Sequence, residues 1–338
     1  MRQTRFARTA LIFGFGLAVW AAGAPTLRAA GVAYNKGDVF VGVGAGKIKH
    51  FSPTGTLLDT LDTLCGGGDT LGMAFDTGGN LFGTTNFGCT PQVYKFDTLG
   101  NLIGPVAPGL TSAESIVFDA SGNYYVGQPD GTHTIRKYSP AGAFLTEFTV
   151  ATQNRGTDWI DLAPDQCTMF YTSEGSAVKR YNVCTNTQLA DFSTALNTAY
   201  AFRLLPGGGA LVANSSNVKM LDSTGAVTAT YTAPGESVFF ALNRDPDGVT
   251  FWSAGLSSGN VYRFAISPAA PPITTFNSGR LGQEVAGLGV FGELVVSQPT
   301  PTPGGPPPPS VVVPTLSFAM LGLLALALIG AALLLIRR

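Results

Sequence analysis

Across residues 31–297 apolar and polar positions come in short runs separated by turn residues, the pattern of strands whose successive side chains face opposite ways. One run recurs six times: Lys47-Ile48-Lys49-His50-Phe51, Gln92-Val93-Tyr94-Lys95-Phe96, Thr134-Ile135-Arg136-Lys137-Tyr138, Ala177-Val178-Lys179-Arg180-Tyr181, Asn217-Val218-Lys219-Met220-Leu221 and Asn260-Val261-Tyr262-Arg263-Phe264. Their starts are 45, 42, 43, 40 and 43 residues apart. Upstream of each lies an apolar-rich run, such as Leu81-Phe82-Gly83, Tyr124-Tyr125-Val126 or Leu211-Val212-Ala213. A turn precedes that run, as in Asp76-Thr77-Gly78-Gly79-Asn80, and another apolar strand precedes the turn, as in Met73-Ala74-Phe75. Downstream come a second turn, Pro53-Thr54-Gly55 or Ser223-Thr224-Gly225, and a last strand. Asp, Asn and Gly supply the positive φ and the side-chain hydrogen bonds that tight hairpins need.

Four strands, a to d, repeated with a period near forty residues predict an all-β chain folded as a six-bladed β-propeller. No helix longer than two turns is expected between residues 32 and 297. The last unit, Gly287-Leu288-Gly289-Val290 and Leu294-Val295-Val296, reads as strands a and b alone, and the first unit begins near strand b. The C-terminal strands are therefore expected to complete the first blade.

The segments Phe75-Asp76-Thr77-Gly78-Gly79-Asn80-Leu81-Phe82 and Phe118-Asp119-Ala120-Ser121-Gly122-Asn123-Tyr124-Tyr125-Val126 resemble those of NHL-repeat and gluconolactonase-like six-bladed propellers. The resemblance implies the fold. Folds of this kind host lactonases, lyases, receptors and scaffolds, so the activity has to be argued from the site.

The two ends of the chain differ from its middle. Arg2, Arg5 and Arg8 precede an uncharged stretch over residues 9–27, which reads as an export signal over residues 1–30, cut near Ala29 or Ala30. Residues 298–313 form a Pro-rich linker that favours extended polyproline II. Residues 317–336 carry no charge over 20 positions, enough for one transmembrane helix, and Arg337 and Arg338 follow as a positive-inside signal. Val313-Pro314-Thr315-Leu316-Ser317, the apolar stretch and the terminal arginines together resemble the IPTL-CTERM class of sorting signals, relatives of PEP-CTERM. That resemblance, carried by Pro314, Thr315 and Leu316, implies an exosortase-type sorting protease as a partner. It implies a cell-surface or extracellular protein, anchored in the membrane unless its tail is trimmed.

Composition narrows the functional classes. Charged residues are 12% of the chain and its net charge is −1, with no basic patch, so nucleic acid is not expected as a partner. No P-loop, dinucleotide fingerprint or Gly-x-Ser-x-Gly elbow occurs. His50 and His133 are the only histidines and read as ordinary surface or rim residues, so no catalytic residue is assigned. There are four cysteines and no CxxC. The blade register places Cys167 at the start of a strand b and Cys184 after the next strand c, and puts Cys65 in a d-to-a connection on the same rim as Cys89 in a b-to-c loop. It thus predicts disulfides Cys65–Cys89 and Cys167–Cys184, with metal ligation by the cysteines as the alternative.

Acidic residues recur just before strand a in five of the six repeats: Asp69, Glu114, Asp158, Glu236 and Glu284, with Tyr200 in the remaining one. They are candidates for a carboxylate ring at one channel mouth that could hold Ca²⁺ or another divalent cation. A solvated rim is the competing reading. Two functions follow. The first is an exported surface module that binds a glycan, a matrix component or a protein. The second is a metal-dependent hydrolase or lyase of the gluconolactonase-like type.

Overall fold

The computed structural model describes residues 31–280 and 284–293. The export segment (1–30), Leu294-Val295-Val296, the linker (298–313) and the tail (314–338) with Pro314, Thr315, Leu316, Arg337 and Arg338 lie outside the described residues. Among the described residues there is no helix; the chain forms six four-stranded antiparallel sheets.

The repeated hairpin is built by its own side chains. Asp119 Oδ1 accepts hydrogen bonds from the backbone N–H groups of Ser121 and Asn123, both at 2.9 Å, and Asn123 Nδ2 donates back to both carboxylate oxygens. Asp76 and Asn80 repeat this arrangement one blade earlier, and Asp97 and Asn101 repeat it in the turn between strands c and d. Gly122, at φ 78, occupies the left-handed position that such a turn requires. The Asp-x-x-Gly-Asn spacing thus encodes a closed Asx turn, and the apolar residues on either side become adjacent strands by default.

The sheets pack in sequence order. Strands a of blades two to five are Asp69–Phe75, Ser115–Phe118, Ile160–Leu162 and Ala199–Leu204; that of the sixth is Phe239–Arg244. Each touches the next, and the ring closes where Gly287–Val290 contacts Asp69–Phe75. Gly287–Val290 is the innermost strand of the first blade and pairs antiparallel with Val39–Gly42, from Val39↔Val290 to Gly42↔Gly287. Residues from the last repeat therefore complete the blade begun by the first, as the repeat count predicts. The interblade layers are apolar: Trp159, Phe202, Phe239, Phe251 and Phe264 form part of the largest cluster, and all are essentially inaccessible to solvent.

The histidine reading needs correction. His50 is neither a surface nor a rim residue: it is 0% exposed, stacked on Phe40 at 4.5 Å, with Nε2 2.7 Å from Asp38 Oδ2. It lies on strand c (Lys47–Phe51) of the first blade, where side chains alternate between the blade interfaces, and sequence alone did not show which side was sealed.

Candidate functional site

Two ends of the ring can be told apart by the connections they carry. One bears the d-to-a and b-to-c loops, the other the a-to-b and c-to-d turns. Both disulfides have the expected partners, one at each end: Cys65–Cys89 among the loops and Cys167–Cys184 among the turns, with Cα atoms 5.6 and 5.2 Å apart. Disulfides persist in oxidising compartments, which places the chain in an extracellular-type environment.

The acidic series lies at the loop end, and only part of it converges. The backbone of Glu114 is fixed across a blade boundary. A register irregularity in strand a of blade two lets Gly72 N–H donate to Glu114 O at 2.6 Å, and Thr84 Oγ1 donates to the same carbonyl at 3.0 Å. A Cβ on Gly72 would lie 2.5 Å from Glu114 O, so only glycine permits this approach. Asp158 is held by its N–H donating to Thr172 O at 3.0 Å. Both carboxyls are sealed from solvent.

Glu174, from the b-to-c loop of blade four, joins them. One oxygen from each of Glu114, Asp158 and Glu174 lies within 4.8 Å of the others. Into this group reaches Arg155, from the d-to-a loop before blade four. Its Nη2 is 2.6 Å from Asp130 Oδ2 and 3.4 Å from Glu114 Oε2; its Nη1 is 2.7 Å from Glu174 Oε1 and 3.9 Å from Asp158 Oδ1. Burial disfavours the guanidinium charge, but Glu114, Asp130 and Glu174 more than offset that and raise its pKa.

One cation among four carboxylates leaves an excess of negative charge, which protonation relieves. Burial, then the neighbouring Asp158, holds the Glu114 carboxyl well above the usual range despite Arg155. Burial, then Glu174, pushes Asp158 up to about 7. None of the four oxygens of Glu114 and Asp158 has a hydrogen-bond partner among the described residues, so protonation is what relieves their charge.

The remaining members sit apart. Asp69 is pushed up to about 6 by burial and by Glu284, which is itself exposed. Glu236 is committed within its own blade: its Oε1 accepts from the N–H groups of Ser237 and Val238, and its Oε2 from Ser258 Oγ and Tyr262 Oη. Tyr200 lies 4.9 Å from the Phe240 ring, with Leu71 and Ala286 in the same apolar cluster. The sequence reading missed Arg155 because it looked only for acids on the approach to strand a, and missed Asp130 and Glu174 because it did not extend to the b-to-c loops. The b-to-c loops share that rim, and searching them as well would have found Glu174 and Asp130.

The loop end is also conformationally costly. Left-handed non-glycine residues stand in the b-to-c connections of five blades: Ala45, Phe87, His133, Glu174 and Ser215. Leu64, on the adjacent d-to-a loop, is also left-handed. Leu64 and Phe87 flank the Cys65–Cys89 bridge and are 76% and 45% exposed. The Phe87 ring centroid is 5.5 Å from the Arg155 guanidinium carbon.

At the turn end the channel widens into a cavity of about 720 Å³ to which all six blades contribute. One side is largely aromatic, with Phe75, Phe82, Phe118 and Phe291 beside Lys95 and the turn residues Asp76 and Asp119; the other carries Asp161, Arg203, Arg244 and Glu293. Strand periodicity alone gave no sign of it, since its ionic residues come from five different repeats and from the turn after the closing strand.

No protein-family model and no curated protein matches the sequence. A chain in the crystal structure of the nidogen/laminin complex is similar in fold, with a TM-score of 0.61 at 13% identity, covering 76% of this chain and 100% of that one. At that identity the likeness shows the propeller fold and nothing finer.

Proposed function

We propose that this chain is an exported surface module that binds a macromolecular ligand, a glycan, matrix component or protein, through its loop end. The observation that carries the reading is the run of left-handed non-glycine residues in the b-to-c loops. Each costs on the order of 1 kcal/mol relative to glycine, and folds keep such strain mainly where a displayed side chain matters. Exposed Leu64 and Phe87 beside the charged Arg155 network supply the mixture of apolar anchors and polar rim found at binding surfaces. The similar chain from the nidogen/laminin complex comes from an assembly of two proteins, which fits a binding role.

A metal-dependent hydrolase gains no comparable support. The three carboxylates that converge already surround a guanidinium, and a hard cation would have to displace Arg155 to reach them. The remaining acids of the series are dispersed or hydrogen-bonded elsewhere.

Export and anchoring belong to the same proposal: a leader removed near Ala29 or Ala30, a spacer over residues 298–313, and a tail over residues 314–338 retained in the membrane or trimmed by an exosortase-type protease.

The test uses the full chain purified from membranes against a panel of glycans and matrix proteins. A ligand whose affinity drops at least about tenfold on L64S and F87S, but not on P140S at the opposite end, supports the assignment. A stoichiometric divalent ion in the purified chain would favour the hydrolase instead. For the address, the full chain and a chain ending at Gln298 are fractionated from a host without exosortase; identical recovery in the soluble fraction overturns the anchor.

A further inference from the structure

The cavity at the turn end lies away from the proposed macromolecular surface and has the make-up of a small-molecule site. Its volume of about 720 Å³ falls within the range of ligand pockets. Its apolar side is made by two edge-to-face aromatic pairs, Phe75 with Phe291 and Phe82 with Phe118, each with ring centroids 5.0 Å apart. Exposed turn residues Thr77 and Ala120 and half-buried Gly79 and Gly122 contribute its rim. Toward the loop end, the cluster of Leu71, Tyr200, Phe240 and Ala286 bridges four blades.

The ionic side has a definite donor balance. All four carboxylates lining the cavity are engaged by the protein itself, Asp76 and Asp119 in their Asx turns and in ion pairs with Lys95 and Lys137. Asp161 accepts from the backbone N–H groups of Leu204 at 2.9 Å and Leu162 at 3.0 Å. Glu293 Oε1 accepts from Arg203 Nε at 3.0 Å and Arg244 N at 2.6 Å, and its Oε2 accepts from Asn243 Nδ2 at 2.9 Å. Arg203 spends Nε on Glu293 and Nη1 on Phe202 O at 3.1 Å, while its guanidinium lies over the Trp159 ring at 5.5 Å. Among the described residues no hydrogen bond engages its Nη2, although the residue is only 8% exposed. The carboxylates are thus occupied while an arginine in the wall keeps donors to spare. Arg203 is held by Glu293, the Phe202 carbonyl and the neighbouring Trp159 ring, so its fork is already oriented when a ligand arrives. Burial and Glu293 also push Asp161 up, to about 6 against the pull of Arg203, so the wall gains positive character in mildly acidic surroundings.

We propose that this cavity binds an amphiphilic organic carboxylate, its flat apolar body against the Phe75, Phe118 and Phe291 rings and its carboxylate on Arg203.

The test titrates the full chain with 2-naphthoate and with its neutral counterpart 2-naphthylmethanol, by calorimetry and by protein NMR. Saturable naphthoate binding is expected, at least about tenfold tighter than the alcohol, as one charge-assisted bidentate contact implies. A74F, which fills the apolar side, and A120W, a rim substitution on an exposed turn, should each weaken naphthoate at least about tenfold. R203K should weaken naphthoate and leave the alcohol unchanged, whereas F87S at the other end should change neither. Equal affinity for acid and alcohol, full affinity in a folded A120W, or no saturation up to about 5 mM would overturn the proposal.

Discussion

The two ends of this propeller are built from the same repeat and solve their turns in opposite ways. At the turn end, Asp76, Asp119 and Asp222 each gather backbone N–H groups, and Gly79, Gly122 and Gly225 take the left-handed positions. Left-handed non-glycine residues are confined there to one blade, at Gln166 and Asn186 beside the Cys167–Cys184 bridge, and the turns serve the fold. At the loop end the same backbone requirement falls on Phe87, His133 and Glu174, and four carboxylates crowd one arginine. That end costs stability, so the comparison teaches where stability has been given up for display.

The largest effect expected from breaking this comparison is at Arg155. R155M removes the cation from among Glu114, Asp130, Asp158 and Glu174 and should cost about 3 kcal/mol at pH 8. The sign of the pH dependence follows from the carboxyls. Glu114 and Asp158 have native pKa values raised by burial and like charge, the latter to about 7, so the native state holds more protons than the unfolded chain between the ordinary carboxylate range and about pH 7. Their contribution is fully present at low pH and is lost as pH rises through that window. The R155M deficit should therefore shrink markedly at pH 5, as read by chemical denaturation at both pH values. A deficit unchanged by pH would mean that the cluster is not protonated as described.

Acid below that window acts on the other end. Asp76, Asp119 and Asp247 have lowered pKa values because their hydrogen bonds outweigh burial. Their contribution disappears as pH falls through their native values, so on these groups the wild-type chain should be most stable at about pH 4, where the two opposing trends meet, and lose melting temperature on both sides.

Next come the staples, one at each end. Cys65–Cys89 closes 24 residues and Cys167–Cys184 closes 17, so chain entropy gives each about 3 kcal/mol. Replacing either pair by serine should lower the melting temperature by several degrees. Removing Cys65–Cys89 should also weaken ligand binding at the loop end, because it frees Leu64 and Phe87; removing Cys167–Cys184 should not.

A smaller change is expected for D119A. It strips the hydrogen bonds to Ser121 and Asn123 and the ion pair with Lys137, costing about 2 kcal/mol with binding at the loop end intact. The smallest pair is the most direct test of the contrast in strain. S215G should stabilise by about 0.5–1 kcal/mol, because glycine accepts φ 53 freely, whereas G122A should destabilise by a similar amount at φ 78. If S215G is no more stable than wild type, the loop end is not strained and the argument for its function fails.

Sequence alone determined the blade count, the four strands per blade, the closed Asx turns and both disulfide partners. All of these rest on local chemistry or on register: a turn is set by residues three or four apart, and a strand repeat fixes which ends of a blade coincide. The acidic series was legible as a series, since its members share one position in the repeat. Which of them meet was not. Glu114 N–H donates to Gly127 O, and a Cβ on Gly127 would lie 2.8 Å from Thr157 O beside Asp158, so the two acids meet where these backbones pass closely, while Glu236 at the corresponding position turns back to Ser258 and Tyr262. The burial of His50, the entry of Arg155 into the cluster and the gathering of Arg203, Asp161 and Glu293 around one cavity were decided only by closing the ring. Closure brings together side chains from distant repeats at distances and orientations that no period along the chain encodes, and the charge balance of each site is a property of that assembled neighbourhood.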